Sequence, residues 1–247
     1  SVVALLALWR VPETRPALPA RATGEAKQLQ YFGQIGSVLR RRPFLLVSLL
    51  SFASFFARTG ALFNLVPVRA QQSIGLDPAQ IGLGLALISV LALLGAYPSG
   101  VLVDTFGRKA VIVPSTLLSG AGLVSFALAP NYTWFLIACL LWALASGVSG
   151  AAPAAYAADI APRGMNAAAM STYRMLADSG YVIGPALLGW LSDLAGTTTA
   201  LTCTAALVVT TGVLFGLFAP ESYRRRTSWE AASAHEQTRI VETPPDD

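Results

Sequence analysis

Two long stretches of this 247-residue chain contain no charged side chain, namely residues 78–103 and 110–158. Crossing the hydrocarbon core of a bilayer takes about 20 apolar residues in a helix, and both stretches exceed that length. Charged residues make up only 12% of the chain, and soluble domains usually contain about twice that fraction. These features predict a helical membrane protein whose surroundings are the lipid bilayer.

Six apolar segments are long enough to cross a bilayer, and we expect each to be a transmembrane helix. Pro130 and Asn131 divide the longer uncharged stretch into two of them. The six segments are 43–68, 78–103, 110–129, 133–157, 167–192 and 196–219. The predicted fold is therefore an all-α membrane protein with a six-helix bundle over residues 43–219.

The segments outside the bundle differ from it in composition. Residues 1–9 are apolar but too short to span a bilayer, and we expect them to be the end of a truncated helix. Residues 10–42 form a basic linker, and residues 220–247 form a polar tail that is predicted to be disordered. In the predicted topology, 15 of the 17 lysines and arginines lie on the same side of the membrane as the linker and the tail. The positive-inside rule makes that side cytoplasmic.

The loop between the second and third predicted helices has the pattern G-x-x-x-D-x-x-G-R-K. Its defined residues are Gly100, Asp104, Gly107, Arg108 and Lys109. Gly107 suits a turn that needs a positive φ angle, and the two adjacent cations suit a cytoplasmic anchor. The pattern resembles the signature loop of the major facilitator superfamily, although Thr105 stands where that loop usually carries a base. A generic positive-inside loop is the alternative.

The resemblance implies one half of a transporter with twelve helices in two six-helix bundles. A later stretch is similar to the eleventh helix of proton-coupled efflux families, and its matching residues are Arg174, Asp178, Gly180, Gly184 and Pro185. The chain is then expected to be the C-terminal half, with residues 1–9 ending helix 6. Its partner is the missing N-terminal half. In the family the aspartate of the loop contacts the facing half, so Asp104 is expected to act at a cytoplasmic gate.

Three charged residues fall inside predicted membrane spans, namely Arg58, Arg174 and Asp178. Such residues cost roughly 2.5–3.5 kcal/mol each on insertion scales, which makes each a candidate for function. Arg174 and Asp178 are four residues apart and share a helix face. Two structural alternatives stay open. Arg174 and Asp178 can be a structural ion pair, and Arg58 can pair with a carboxylate in the missing half.

Helical periodicity places further polar and aromatic residues on common faces. Tyr181 and Pro185 share the stripe of Arg174 and Asp178, while Gly180 and Gly184 lie on a neighbouring stripe that suits close helix packing. A stripe on the fourth predicted helix contains Trp142, Ser146 and Tyr156. Polar stripes on several helices are what a path for substrate and protons requires. The aromatic residues can instead simply fill the bundle.

Several chemistries lack their sequence signatures. The chain has no GxxxxGK[ST], HExxH or GxSxG motif, and its only histidine is His235 in the tail. We therefore expect no enzyme activity, metal, cofactor or nucleic-acid partner. The preferred function is proton-coupled efflux of amphiphilic or drug-like small molecules across a plasma membrane, the inner membrane in bacteria. Uptake of a sugar or organic anion by the same fold, and a truncated or non-transporting membrane protein, are the alternatives.

Overall fold

A computed structural model describes residues 33–162 and 164–221 of the chain. All regular secondary structure in these ranges is helical. A short helical segment covers residues 33–39, and seven helices follow it. They are α1 (Arg42–Ile74), α2 (Pro78–Phe106), α3 (Arg108–Leu128), α4 (Tyr132–Ser149), α5 (Ala152–Asp159), α6 (Asn166–Ala195) and α7 (Thr197–Phe218). The predicted all-α architecture is confirmed. The predicted helix end over 1–9, most of the linker over 10–42 and most of the tail over 220–247 lie outside the described residues.

Five spans in the described ranges are long and apolar enough to cross a membrane, and α4 and α5 together form one of them. The remaining predicted span, 167–192, corresponds to α6, which is 30 residues long. Helix α6 is not among the five, because the charged residues Arg174, Asp178 and Asp193 and several Ser and Gly residues lower its apolar character. The predicted helix is present, but its polar content sets it apart from its neighbours.

Helix α1 extends beyond the predicted end at residue 68 and contains two π-helical segments, Ala57–Leu65 and Ala70–Ile74. Pro67 lies between them and cannot donate a backbone hydrogen bond. Wider turns therefore flank the proline, and the chain continues without leaving the helix. The first π-helical segment contains Arg58, which places this charge where the helix departs from regular α geometry.

Short polar signals fix where the next helices begin. Asp77 and Gln80 form a capping box at the start of α2, with the backbone N–H of Gln80 donating to Asp77 Oδ1 at 2.8 Å. Gly107 joins α2 to α3 with φ of +95°, which confirms the positive φ expected from the sequence. The backbone N–H of Trp134 donates to Asn131 Oδ1 at 3.1 Å, so Asn131 caps α4.

The helices pack in a consistent order around two apolar clusters. Helix α3 packs between α4 and α7, α1 packs on α6 and α7, and α2 packs mainly on α4. One cluster includes Leu62, Leu123 and Leu201, and the other includes Phe44 and Phe215. Helix α5 contacts α1, α3 and α6, so the break between α4 and α5 lies inside the bundle. This order leaves large apolar side chains of α2 and α6 exposed.

Three glycines allow α1 and α6 to approach at backbone distance. A Cβ atom at Gly180 would lie 2.5 Å from the carbonyl oxygen of Phe52, and one at Gly184 would lie 2.8 Å from that of Phe56. A Cβ atom at Gly60 would lie 2.7 Å from the backbone of Gly184. Because backbone atoms cannot move aside as flexible side chains can, side chains at these positions would push the two helices apart.

We expect Gly180→Ala to destabilise the bundle by about 1–3 kcal/mol, the usual cost of overpacking. Gly189→Ala is the matched control. Gly189 lies on the same helix, and a Cβ atom there would meet nothing within 4 Å. It should leave stability unchanged or raise it slightly through better helix propensity. Thermal unfolding in detergent compares the two variants. Equal midpoints for both variants would contradict the close packing of α1 and α6.

Candidate functional site

A cavity of about 310 Å³ opens inside the bundle, with walls from α1, α3, α4, α5, α6 and α7. Its lining is mixed, with hydroxyl groups, aromatic rings and two guanidinium groups. The polar and aromatic lining residues are Ser51, Ser54, Phe55, Arg58, Thr116, Ser119, Trp142, Ser146, Ser149, Tyr173 and Arg174. Lipid-facing surfaces of a membrane protein are apolar, so a cavity of this composition suits a polar or amphiphilic solute.

The structure brings four of the predicted path residues to this cavity: Arg58, Trp142, Ser146 and Arg174. Tyr181 is not among the lining residues, but its ring stacks on Phe55 at 4.5 Å between centroids. Phe55 belongs to the lining, so Tyr181 supports the cavity wall from behind.

Two other predicted residues lie away from the lining. Tyr156 is fully buried, and its hydroxyl donates to the carbonyl oxygen of Pro220 at 2.7 Å. Its ring packs edge-on against Phe215. Pro185 lies within α6 and is half-buried. The stripe drawn for the fourth predicted helix therefore divides, because the break at Gly150 and Ala151 gives α5 its own axis.

Arg174 and Asp178 form an ion pair of 3.4 Å between Nη2 and Oδ1. The contact lacks hydrogen-bond geometry, and Asp178 Oδ1 accepts no hydrogen bond from the residues described, although this oxygen is enclosed. The Asp178 side chain as a whole is 42% exposed, so its other atoms reach the open side of α6. The Arg174 guanidinium also lies 5.8 Å from the centre of the Phe55 ring. One carboxylate therefore neutralises this arginine at the cavity wall.

Two features of the cavity were not assigned from the sequence. The hydroxyl groups of Tyr173 and Ser51 are 2.8 Å apart in a buried hydrogen bond that joins α6 to α1. Tyr173 directly precedes Arg174, so it falls about 100° away on the helical wheel and outside the predicted stripe. The first turn of α5, with Ala151, Pro153 and Ala154, is the second feature. Helical periodicity places Pro153 on the stripe of Trp142 and Ser146, but the break at Gly150 was not predicted.

The signature loop lies at one end of the bundle within a cluster of charges. Arg108 lies between two carboxylates, with Nη1 at 3.1 Å from Asp104 Oδ1 and Nε at 3.2 Å from Asp159 Oδ2. The Asp104 side chain is 71% exposed, so it stays accessible. Asp104 was expected to find its partner only in the missing half, and the ion pair with Arg108 was not anticipated. Gly100 is exposed and has open space where a Cβ atom would stand.

Glu221 caps the start of α3 from a distant part of the chain. Its carboxylate accepts hydrogen bonds from the backbone N–H groups of Arg108 at 3.1 Å and Lys109 at 3.2 Å. Lys109 Nζ donates to the carbonyl oxygen of Ala219 at 2.7 Å, which ties the end of α7 to the same helix start. A Cβ atom at position 107 would lie 3.0 Å from the Glu221 carboxylate, so the glycine also makes room for the cap. A carboxylate at a helix N-terminus is favourable for both its hydrogen bonds and its charge.

The family model described as Major Facilitator Superfamily matches residues 47–241. The chain belongs to the major facilitator superfamily. The structure also resembles that of the fucose:proton symporter FucP of E. coli, with a TM-score of 0.66, 20% identity, and coverage of 87% of this chain and 52% of that one. This likeness supports the fold. The charged cluster at Arg108 thus belongs to a transporter fold, and members of this family are generally not enzymes.

Two curated relatives are similar to parts of the chain. YwtG of Bacillus subtilis, a protein named for metabolite transport, is 30% identical over 113 residues, which are 46% of this chain and 25% of YwtG. The quinolone resistance protein NorA of Staphylococcus aureus is 22% identical over 138 residues, which are 56% of this chain and 35% of NorA. The chain therefore spans about half or less of the length of the proteins it matches.

The structure also bears on metal binding. Among residues 33–162 and 164–221, no three His, Cys, Asp or Glu side chains come together in a group that could hold a metal ion.

We expect Glu221→Ala to lower stability by about 0.5–2 kcal/mol, because the first turn of α3 loses the acceptor for two backbone N–H groups. Glu221→Gln keeps an acceptor oxygen and should cost less. Asp193→Ala serves as the control, because it removes an exposed carboxylate near the C-terminal end of α6. Thermal unfolding and amide hydrogen exchange at residues 108 and 109 measure the effect. Unchanged exchange in Glu221→Ala would show that the cap does not hold this turn.

Proposed function

We propose that the chain forms the C-terminal half of a transporter that moves a small molecule across a membrane by alternating access with proton coupling. The observation that carries the proposal is the cavity, whose polar and aromatic lining lies within a bundle of membrane-length helices. The Arg174–Asp178 ion pair lies at its wall and supplies a titratable carboxylate. Transporters of this architecture bind solute near the bilayer midplane, between two bundles that rock against each other.

The second bundle would be the N-terminal half of the same transporter. Large apolar side chains of α2 and α6 are exposed, including Leu93, Tyr97 and Val182, and they suit contact with another bundle or with lipid. The distribution of lysines and arginines supports a cytoplasmic location for the linker, the tail and the Arg108 cluster at a plasma membrane. A bacterial inner membrane is the expected location.

Asp178 is the proposed proton carrier. A carboxylate within a span can exchange a proton, whereas an arginine stays charged throughout. Protonation of Asp178 would remove the charge that holds Arg174 at 3.4 Å. The Arg174 guanidinium would then be released toward the solute, so that proton and solute binding influence each other.

Asp104 is the proposed contact of the cytoplasmic gate. Its exposed carboxylate belongs to the cluster with Arg108, Asp159 and Glu221, which joins the ends of α2, α3, α5 and α7. A helix N-terminus or a cation of the facing half would attract this carboxylate when the cytoplasmic side is closed. The contact would be lost as the halves part.

Efflux of amphiphilic compounds is the first candidate for the direction of transport, since the matched relative NorA is named for quinolone resistance. Uptake of a sugar or organic anion is the second, and the two arginines of the cavity lining favour it. A truncated or otherwise non-transporting protein is the third. Transport measured against an imposed pH gradient separates them. Exit of the solute while protons flow inward supports efflux. Entry of solute and protons together supports uptake, and no movement of solute supports a non-transporting protein.

We expect Asp178→Asn to abolish proton movement with solute in vesicles that contain the transporter assembled from both halves. Three aromatic probes of similar size serve as solutes: benzenesulfonate, benzenesulfonamide and benzyltrimethylammonium. Asp193→Asn is the matched control, because Asp193 is an exposed carboxylate of the same helix. Proton flux is read from a trapped pH dye. Retained coupling in Asp178→Asn would return this residue to a structural role.

We expect Asp104→Asn to reduce transport of the same probes about tenfold while leaving membrane insertion intact, since a neutral amide is attracted less to a helix dipole or a cation. Insertion is measured by the yield of folded protein and by its thermal midpoint. Thr105→Ala is the neighbouring control, because Thr105 Oγ1 donates to the carbonyl of Val101 in its own helix. Transport at the unmodified rate in Asp104→Asn would remove this residue from the gate.

A further inference from the structure

The charged side chains that line the cavity are both cations. Arg58 and Arg174 contribute to its wall, and within residues 33–162 and 164–221 no Asp or Glu is among the lining residues. A solute in this space therefore meets positive charge and hydroxyl groups but no opposing carboxylate in the lining. Positive potential in a site of low dielectric attracts anions and repels cations.

The two arginines differ in how far their charge is already balanced. Arg174 has Asp178 at 3.4 Å and lies over the Phe55 ring. Arg58 is exposed and forms no hydrogen bond or ion pair with any residue in the described ranges. A charge within a span is costly unless something pairs with it, so Arg58 is the group that most needs an anion.

The start of α5 adds to the same potential. Gly150, Ala151, Pro153 and Ala154 line the cavity, so the N-terminal end of this helix faces it. Its N-cap residue, Ala151, has no side chain that could accept a hydrogen bond. The N-terminus of a helix carries partial positive charge from its unpaired N–H groups, which favours a nearby anion. Two independent features, Arg58 and the N-terminal end of α5, therefore both favour a negatively charged ligand.

Aromatic rings supply the apolar part of the lining. Trp142 and Phe55 both belong to it. The Ser51–Tyr173 hydrogen bond leaves hydroxyl oxygens at the wall for weaker polar contacts. The cavity volume, about 310 Å³, lies at the lower end of the range for ligand pockets. A solute with one aromatic ring and one anionic group fits both the size and the chemistry.

We infer that the transported solute is a small organic anion with an aromatic or otherwise apolar part, and that Arg58 contacts its anionic group. The inference rests on the proposed transport function and names its substrate class. With Asp178 ionised, Arg58 supplies the one uncompensated charge among the described residues of the lining, which matches a singly charged anion. Carboxylate, sulfonate and phosphonate groups share the required chemistry, since each accepts paired hydrogen bonds from a guanidinium.

The test compares transport of benzenesulfonate, benzenesulfonamide and benzyltrimethylammonium, which share a ring and differ in charge. The sulfonate stays ionised at all working pH values, so a pH gradient cannot trap it as a neutral acid. In vesicles with the assembled transporter, benzenesulfonate should have the highest kcat/KM. Arg58→Gln should lower that value at least tenfold and change the value for benzenesulfonamide less than twofold. Arg58→Lys should retain part of the sulfonate activity, because it keeps the charge.

Arg42→Gln is the control, because it removes one positive charge from the same helix at an exposed position outside the lining. It should leave all three values unchanged. Preference for benzyltrimethylammonium or benzenesulfonamide would overturn the inference and leave the transport function standing. An equal loss of transport for all probes in Arg58→Gln would also overturn the inference, since it indicates that Arg58 forms a structural ion pair with the facing half. No transport of any probe at concentrations of about 1 mM, the weak end of the usual affinity scale, would overturn both proposals.

Discussion

The cost of placing a charge in hydrocarbon governs where the charged groups of this chain stand. Among the residues that the structure describes, most of them lie at helix ends, where Arg108, Asp104, Asp159 and Glu221 satisfy one another and the first turn of α3. Arg69 lies near the end of α1 and bonds to Thr198, and the charges deeper in the spans gather at one place. Arg58 and Arg174 line the same cavity, and Asp178 lies beside it. In the proposed transporter, charges that are costly in hydrocarbon would thus lie where a solute, a proton or the facing bundle compensates them.

Irregular backbone surrounds this cavity on two sides. The π-helical segment of α1 contains Arg58, and the break at Gly150 separates α4 from α5. Backbone groups freed by such breaks can persist at membrane depth only when protein or a polar cavity satisfies them. The first turn of α5 meets that condition because it lines the cavity. The π-helical segment of α1 and the break before α5 are therefore consistent with a polar cavity between these helices. They would be hard to explain in a bundle that packs only against lipid.

The helices and turns of the fold could be predicted from local sequence. The contacts between distant parts of the chain could not. Uncharged runs predicted the helices, Gly107 predicted a positive φ, and the i,i+4 spacing placed Arg174 on the face of Asp178. The cap of α3 by Glu221 joins residues more than 100 positions apart, so periodicity could not reveal it. The same is true of the Ser51–Tyr173 bond and of the Tyr156 bond to Pro220. Each depends on which helices become neighbours.

The contact between α1 and α6 connects this packing to the chemistry of the cavity. Gly60, Gly180 and Gly184 bring the two backbones together, and the Ser51–Tyr173 hydrogen bond joins the same helices nearby. Arg58 and Arg174 project from these two helices into one space. Because the backbones are in direct contact, the helix positions from which the two arginines extend are held close together. In the proposed transporter, this fixed backbone would lower the ordering cost of solute binding, while protonation of Asp178 would change the charge that the solute meets.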